Sequence, residues 1–122
     1  MAVNLYEKYG GFSNINKIVM AFYDHLLDSE TVGPYFDDID MARLIDHQTK
    51  FIAMLLGGPA SFTNEQLGRA HVSLGVTAEH FDEMKFILQH TLDEHGVEPD
   101  DTQSVLDAVE ARRGYIVTDE AS

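Results

Sequence analysis

His71 is the histidine of this chain best placed to hold something. It sits within an apolar stripe of Leu67, Ala70 and Leu74 at helical spacing. Thr63 and Gln66 ahead of it form a Ser/Thr-x-x-Glu/Gln capping box, and Gly75 stops the helix behind it. A histidine fenced in this way is either satisfied by a backbone carbonyl or available as a ligand. Two more polar residues interrupt apolar faces. Tyr23 lies on the stripe Ile15, Ile18, Val19, Phe22, Leu26 and Leu27, where a buried tyrosine ordinarily donates to a nearby carbonyl. Gln48 falls four residues after Leu44 and three before Phe51, and a buried amide without a partner costs about 1–3 kcal/mol. His47 stands at the edge of that face, in line with Arg43 and Lys50 at i, i+4, i+7 spacing; the line reads equally well as a solvated rim.

Spacing decides among the chemistries these residues could support. A di-iron bundle needs paired Glu-x-x-His motifs, yet the residues three before each histidine are Phe22, Leu44, Gly68, Thr77, Ile87 and Leu92. No histidine is followed by glutamate, which removes H-E-x-x-H zinc hydrolysis, and no G-x-S-x-G marks a nucleophile elbow. Haem binding remains. It asks for one axial histidine on a short helix and an aromatic-rich pocket. His71 offers the ligand, Phe36, Phe51, Phe81 and Leu88 offer flat apolar surface, and Tyr23 and Gln48 offer donors to a dry cavity.

The elements that must position these groups are all helical. A short helix over 4–9 ends at Gly10 and Gly11, and Ser13 is expected to cap a long second helix. Gly33 and Pro34 break that helix into a corner, T-V-G-P-Y-F. Asp40 caps a third helix from Met41 to about Leu56, with Met41, Leu44, Ile45, Phe51, Ile52 and Leu55 inward and Gly57, Gly58 and Pro59 at its end. Thr77 caps a long helix carrying Phe81, Met84, Leu88, Thr91 and Leu92 to near Gly96. Pro99, followed by Asp100 and Asp101, opens a last helix with Val105, Leu106, Val109 and Ile116 on one face. No strand alternation or repeat interrupts this pattern, and residues 1–122 read as one all-α domain.

Composition narrows the partners. A net charge of −13, from 21 acidic against 8 basic residues, repels nucleic acid phosphates and anionic lipid. The absence of cysteine excludes disulfides, thiolate zinc sites, iron–sulfur clusters and c-type haem attachment. The opening residues carry no basic and apolar leader pattern, and the longest apolar run, Phe51 to Leu56, is too short to span a bilayer. A cytoplasmic protein, monomeric or weakly dimeric and bound neither to membrane nor to nucleic acid, is the expectation.

The residues resemble the truncated haemoglobins of the first group, small globins with a two-over-two helical sandwich around a haem. The matching pieces run in order over residues 4 to 117: L-Y-E-K-Y-G-G, the Phe22-Tyr23 pair, P-Y-F followed by D-M, H-Q-x-x-F-I, L-G-G-P, A-H-x-x-L-G-V and H-F-D. The resemblance implies a b-type haem (iron protoporphyrin IX) with His71 as its proximal iron ligand. It implies Phe36 stacked on the haem, Tyr23 and Gln48 as the distal hydrogen-bonding pair, and Leu44 where classical globins carry a distal histidine. Phe51, Val76, Phe81, Met84, Leu88 and Val109 match pocket-lining positions, and Leu67 and Arg69 join the haem-contacting set. His47 matches the place where cyanobacterial members supply a second axial histidine; alternatively, with Arg43 and Lys50, it meets the haem propionates.

Some departures matter for function. No histidine follows His95, so the covalent haem linkage of those cyanobacterial relatives has no residue to form it. The position aligned with the phenylalanine gate of mycobacterial members is Ile52, and the first helix begins almost at Met1, without their basic extension. Three functions follow from the resemblance: reversible binding and carriage of O2, CO and NO, oxidation of nitric oxide to nitrate, or redox work with two axial histidines. The enzymatic reading requires an external reductase, because the chain carries no flavin or nicotinamide fingerprint.

Overall fold

The computed structural model describes residues 5–58 and 76–117. Apart from a lone bridge residue at Thr77, every regular element among them is helical. In chain order they are α1 (Leu5–Lys8), α2 (Gly11–Asp28), a single 3-10 turn at Gly33–Phe36, α3 (Met41–Leu55), α4 (Ala78–Glu94), α5 (Pro99–Glu110) and α6 (Arg113–Ile116). Helix α2 packs on α3 and on α4, and α4 packs on α5. The segment holding Thr63, Gln66, Leu67, Arg69, His71 and Gly75 lies outside the described residues.

Helix α2 begins three residues earlier than a Ser13 cap would set it. Gly10 is the N-cap residue, with φ of 90°, a left-handed conformation open to glycine at little cost. That turn lets the helix start at once, and the Tyr6 hydroxyl accepts from Phe12 N at 3.1 Å, satisfying a first-turn donor that a serine would have served. Ile15, Ile18, Val19, Tyr23 and Leu26 are buried along one face, as their spacing predicts. Leu27 is 46% exposed instead, since one residue past Leu26 the helix has already turned about 100°.

Asp40 caps α3 as expected, accepting from Arg43 N at 3.3 Å. Inside α3, Thr49 is fully buried; its hydroxyl donates to Ile45 O at 2.7 Å and accepts from Asn16 Nδ2 at 3.1 Å. This pair of bonds fixes the register of α3 on α2 beside Gln48. The helix closes in a Schellman motif, with Gly57 N donating to Met54 O and Gly58 N to Ala53 O. Gly57 supplies the positive φ of 92°. A Cβ on Gly58 would stand 2.5 Å from the Tyr6 ring, so the glycine is what lets α1 rest on the end of α3.

Thr77 caps α4, accepting from His80 N at 3.1 Å. Pro99 takes the first position of α5. The last helix divides in two, α5 ending at Glu110 and α6 spanning a single turn from Arg113. Ile116 is nevertheless buried, seven residues after half-buried Val109, so the helical phase survives the break. No described helix is long and apolar enough to cross a membrane.

Candidate ligand-binding cleft

Three walls enclose a cleft. Phe22, Tyr23 and Leu26 come from α2, Leu44, His47 and Gln48 from α3, and Tyr35, Phe36 and Ile39 from the corner; Val76 and Met84 complete it. Its unfilled space, mouth included, is about 820 Å³. Beside it, Phe51 and Ile52 of α3, Phe81, Lys85 and Leu88 of α4, Val109 and Ile116 line a second space of about 570 Å³, open solvent included. Phe22, Tyr23, Gln48 and Met84 face both, so the two spaces adjoin.

Tyr23 is the polar centre of this arrangement. It is 6% exposed, and its ring meets Phe22 and Phe36 edge to face, with centroids 5.2 and 5.6 Å away. Among the described residues its hydroxyl has no hydrogen-bond partner, and burial alone pushes its pKa far above the usual phenol value. The group is therefore a fixed O–H donor at any ordinary pH. Gln48 faces the same space from α3, between Leu44 and Phe51.

Most of the residues singled out from the sequence converge here: Phe36, Leu44, His47 and Val76 on the first space, Phe51, Phe81, Leu88 and Val109 on the second, and Tyr23, Gln48 and Met84 on both. Two of the expected rim cations do not line the cleft. Lys50 turns back along its helix to Asp46 at 3.0 Å, and Arg43 contributes its backbone N–H to the Asp40 cap. His71, Leu67 and Arg69 lie outside the described residues.

Sequence reasoning missed Tyr35, Ile39 and Lys85. Lys85 had a signal, since it continues the phase of Phe81 and Leu88 along α4. Tyr35 had none beyond lying beside Phe36. Lys85 belongs to a charged fence along the second space: it reaches Glu110 at 2.6 Å, while Arg113 binds Glu110 at 2.7 and 3.0 Å and also pairs with Asp82. The Arg113 and Lys85 bonds hold the Glu110 carboxyl down at about 2. The Arg113 guanidinium also sits 4.7 Å from the Phe81 ring centre.

Comparison with known proteins gives this geometry a family. Residues 4–117 match the bacterial-like globin family. The group 1 truncated haemoglobin of Synechocystis is 35% identical over 100 residues, covering 79% of this chain and 81% of that protein. The solved truncated haemoglobin of Tetrahymena pyriformis in its Fe(III) form superposes with a TM-score of 0.85 at 31% identity, covering 94% of this chain and 98% of the other. The 2/2 haemoglobin of Synechococcus, in the cyanomet state and with covalently attached haem, gives a TM-score of 0.87 at 32% identity over the same shares.

The chain belongs to the bacterial-like globins, and within them to the group 1 truncated haemoglobins, with the two-over-two helical fold. Membership implies haem-based ligand binding. The residues present fit such a group: the walls are apolar and aromatic, and the buried Tyr23 hydroxyl fronts the space without a partner among the described residues.

Proposed function

We propose that this chain holds a b-type haem in the cleft, with His71 as its proximal ligand, and reversibly binds O2 there, together with CO and NO. The haem iron would supply one coordination position open to a diatomic ligand. The observation that carries the reading is Tyr23, its ring buried against Phe36 and its hydroxyl without a partner among the described residues. A buried donor of this kind carries a desolvation cost that a ligand's polar end would offset.

Tyr23 and Gln48 approach from different helices, α2 and α3, which lets both donate to one small ligand. Hydrogen bonds to a ligand end that gathers negative charge, as O2 does and CO scarcely does, are worth roughly 1.5–3 kcal/mol each. Two such donors slow O2 release by about two to four orders of magnitude. Slow release suits retention or scavenging over bulk transport.

His47 supports a second reading. It faces the mouth beside Gln48, one turn after Leu44, where it could supply a further axial nitrogen; the protein would then serve redox chemistry with an external reductase. The deciding experiment is the absorption spectrum of the haem-loaded protein, ferric and ferrous, with and without CO. A Soret band that shifts on reduction and again with CO is expected. A chain that takes up no haem overturns the proposal.

A further inference from the structure

The corner that carries Phe36 is short and lightly built. Its own backbone bonds are local, Tyr35 N to Val32 O at 3.2 Å and Asp37 N to Pro34 O at 3.3 Å. Two side-chain bonds join this region to the start of α4. The Tyr35 hydroxyl lies 2.6 Å from His80 Nδ1, with the two rings edge to face and centroids 5.4 Å apart. One turn further along α4, Glu83 accepts from Ser29 Oγ at 2.9 Å, and the same oxygen receives Val32 N at 3.2 Å. His80 stands on an anchored helix start, because Thr77 Oγ1 accepts its backbone N–H.

Tyr35 lines the mouth of the cleft, and its neighbour Phe36 packs edge-on against Tyr23. The bond to His80 therefore ties the corner wall of the cleft to α4, whose Met84 also lines it. We propose that the Tyr35–His80 hydrogen bond is a latch that holds the corner against α4 and sets how fast the cleft releases its haem. The proposal rests on the haem reading above. Tyr35 and His80 act as positioning residues, through the corner and Phe36, and neither is taken as an iron ligand.

The test follows transfer of haem from the loaded protein to excess apomyoglobin. Tyr35→Phe keeps the ring and removes the hydroxyl, so release should quicken about five- to tenfold, the effect of one partly buried hydrogen bond. His80→Leu should match it. The double variant should release no faster than either single one, since both remove the same bond. His80→Asn puts an amide atom near the place of Nδ1 and should restore most of the wild-type rate, which a merely structural role for the imidazole would not predict. Unchanged release in Tyr35→Phe, or effects that multiply in the double variant, would overturn the latch alone. A wild-type chain that accepts no haem overturns the haem reading, and the latch with it.

Discussion

Phe36 meets Tyr23 edge to face, with the two rings at 90° and their centroids 5.6 Å apart. The contact joins the corner to α2 and clamps the phenol ring along its side. A ring held this way has little freedom to swing its hydroxyl elsewhere, so the donor is set in place before any ligand arrives.

Tyr23→Phe tests that donor directly. It keeps the packing against Phe22 and Phe36 and deletes one O–H. O2 dissociation, followed by stopped flow, should accelerate roughly tenfold or more, the loss of one charge-assisted hydrogen bond. CO dissociation should change much less. Equal acceleration of both ligands would mean that Tyr23 serves packing only.

His71→Ala tests the proximal assignment. The variant should lose the wild-type spectrum and retain haem poorly, since it lacks the nitrogen assigned as the proximal bond to iron. Exogenous imidazole should restore part of the occupancy by standing in for the missing side chain. Full haem content with an unaltered spectrum in the variant would move the ligand elsewhere.

The cleft was legible in the sequence to the extent that it is built from helical phase. Phe81, Met84 and Leu88 fall on one stripe of α4, and Leu44, Gln48 and Phe51 on one stripe of α3, so 3.6-residue spacing alone brings each set to one wall. Contacts that depend on side-chain reach were not legible. Lys50 shares a line with Arg43 and His47, but Asp46 also lies four residues before it and takes its ammonium. Tyr35 could not be given a role, because its partner His80 is 45 residues away on another helix. The Ser13 cap failed for a local reason: serine favours helix starts on average, but Gly10 can enter the left-handed region and begin α2 sooner.

The fence beside the second space should show in acid. Arg113 and Lys85 lower the Glu110 carboxyl from its usual 4.5 to about 2. A carboxyl depressed on folding stabilises the protein fully above its unfolded value, and that contribution fades as pH falls from about 4.5 toward 2. Glu110→Gln should thus lower the urea midpoint at pH 7 and converge on wild type near pH 2. The difference should be small, because the Glu110 side chain is 42% exposed and water and salt screen the pair. A gap between the two proteins that stays constant across this range would remove Glu110 as its source.

His47 carries the riskiest expectation. It lines the mouth of the cleft next to Gln48, and among the three residues of the Arg43–His47–Lys50 line it alone does so. Lys50 pairs with Asp46, but that exposed pair is weak and would not keep its ammonium from a propionate, so the axial and rim roles are separated by experiment. If the imidazole reaches the iron, the ligand-free protein should be low-spin and six-coordinate. Added ligands would then bind only from the fraction of molecules in which His47 has let go, and apparent affinity would fall by that fraction. His47→Leu should give a high-spin spectrum and faster CO binding, whereas Lys50→Ala should leave both unchanged. A wild-type protein that is already high-spin and five-coordinate when ferrous, and is unaffected by His47→Leu, would return the residue to the rim.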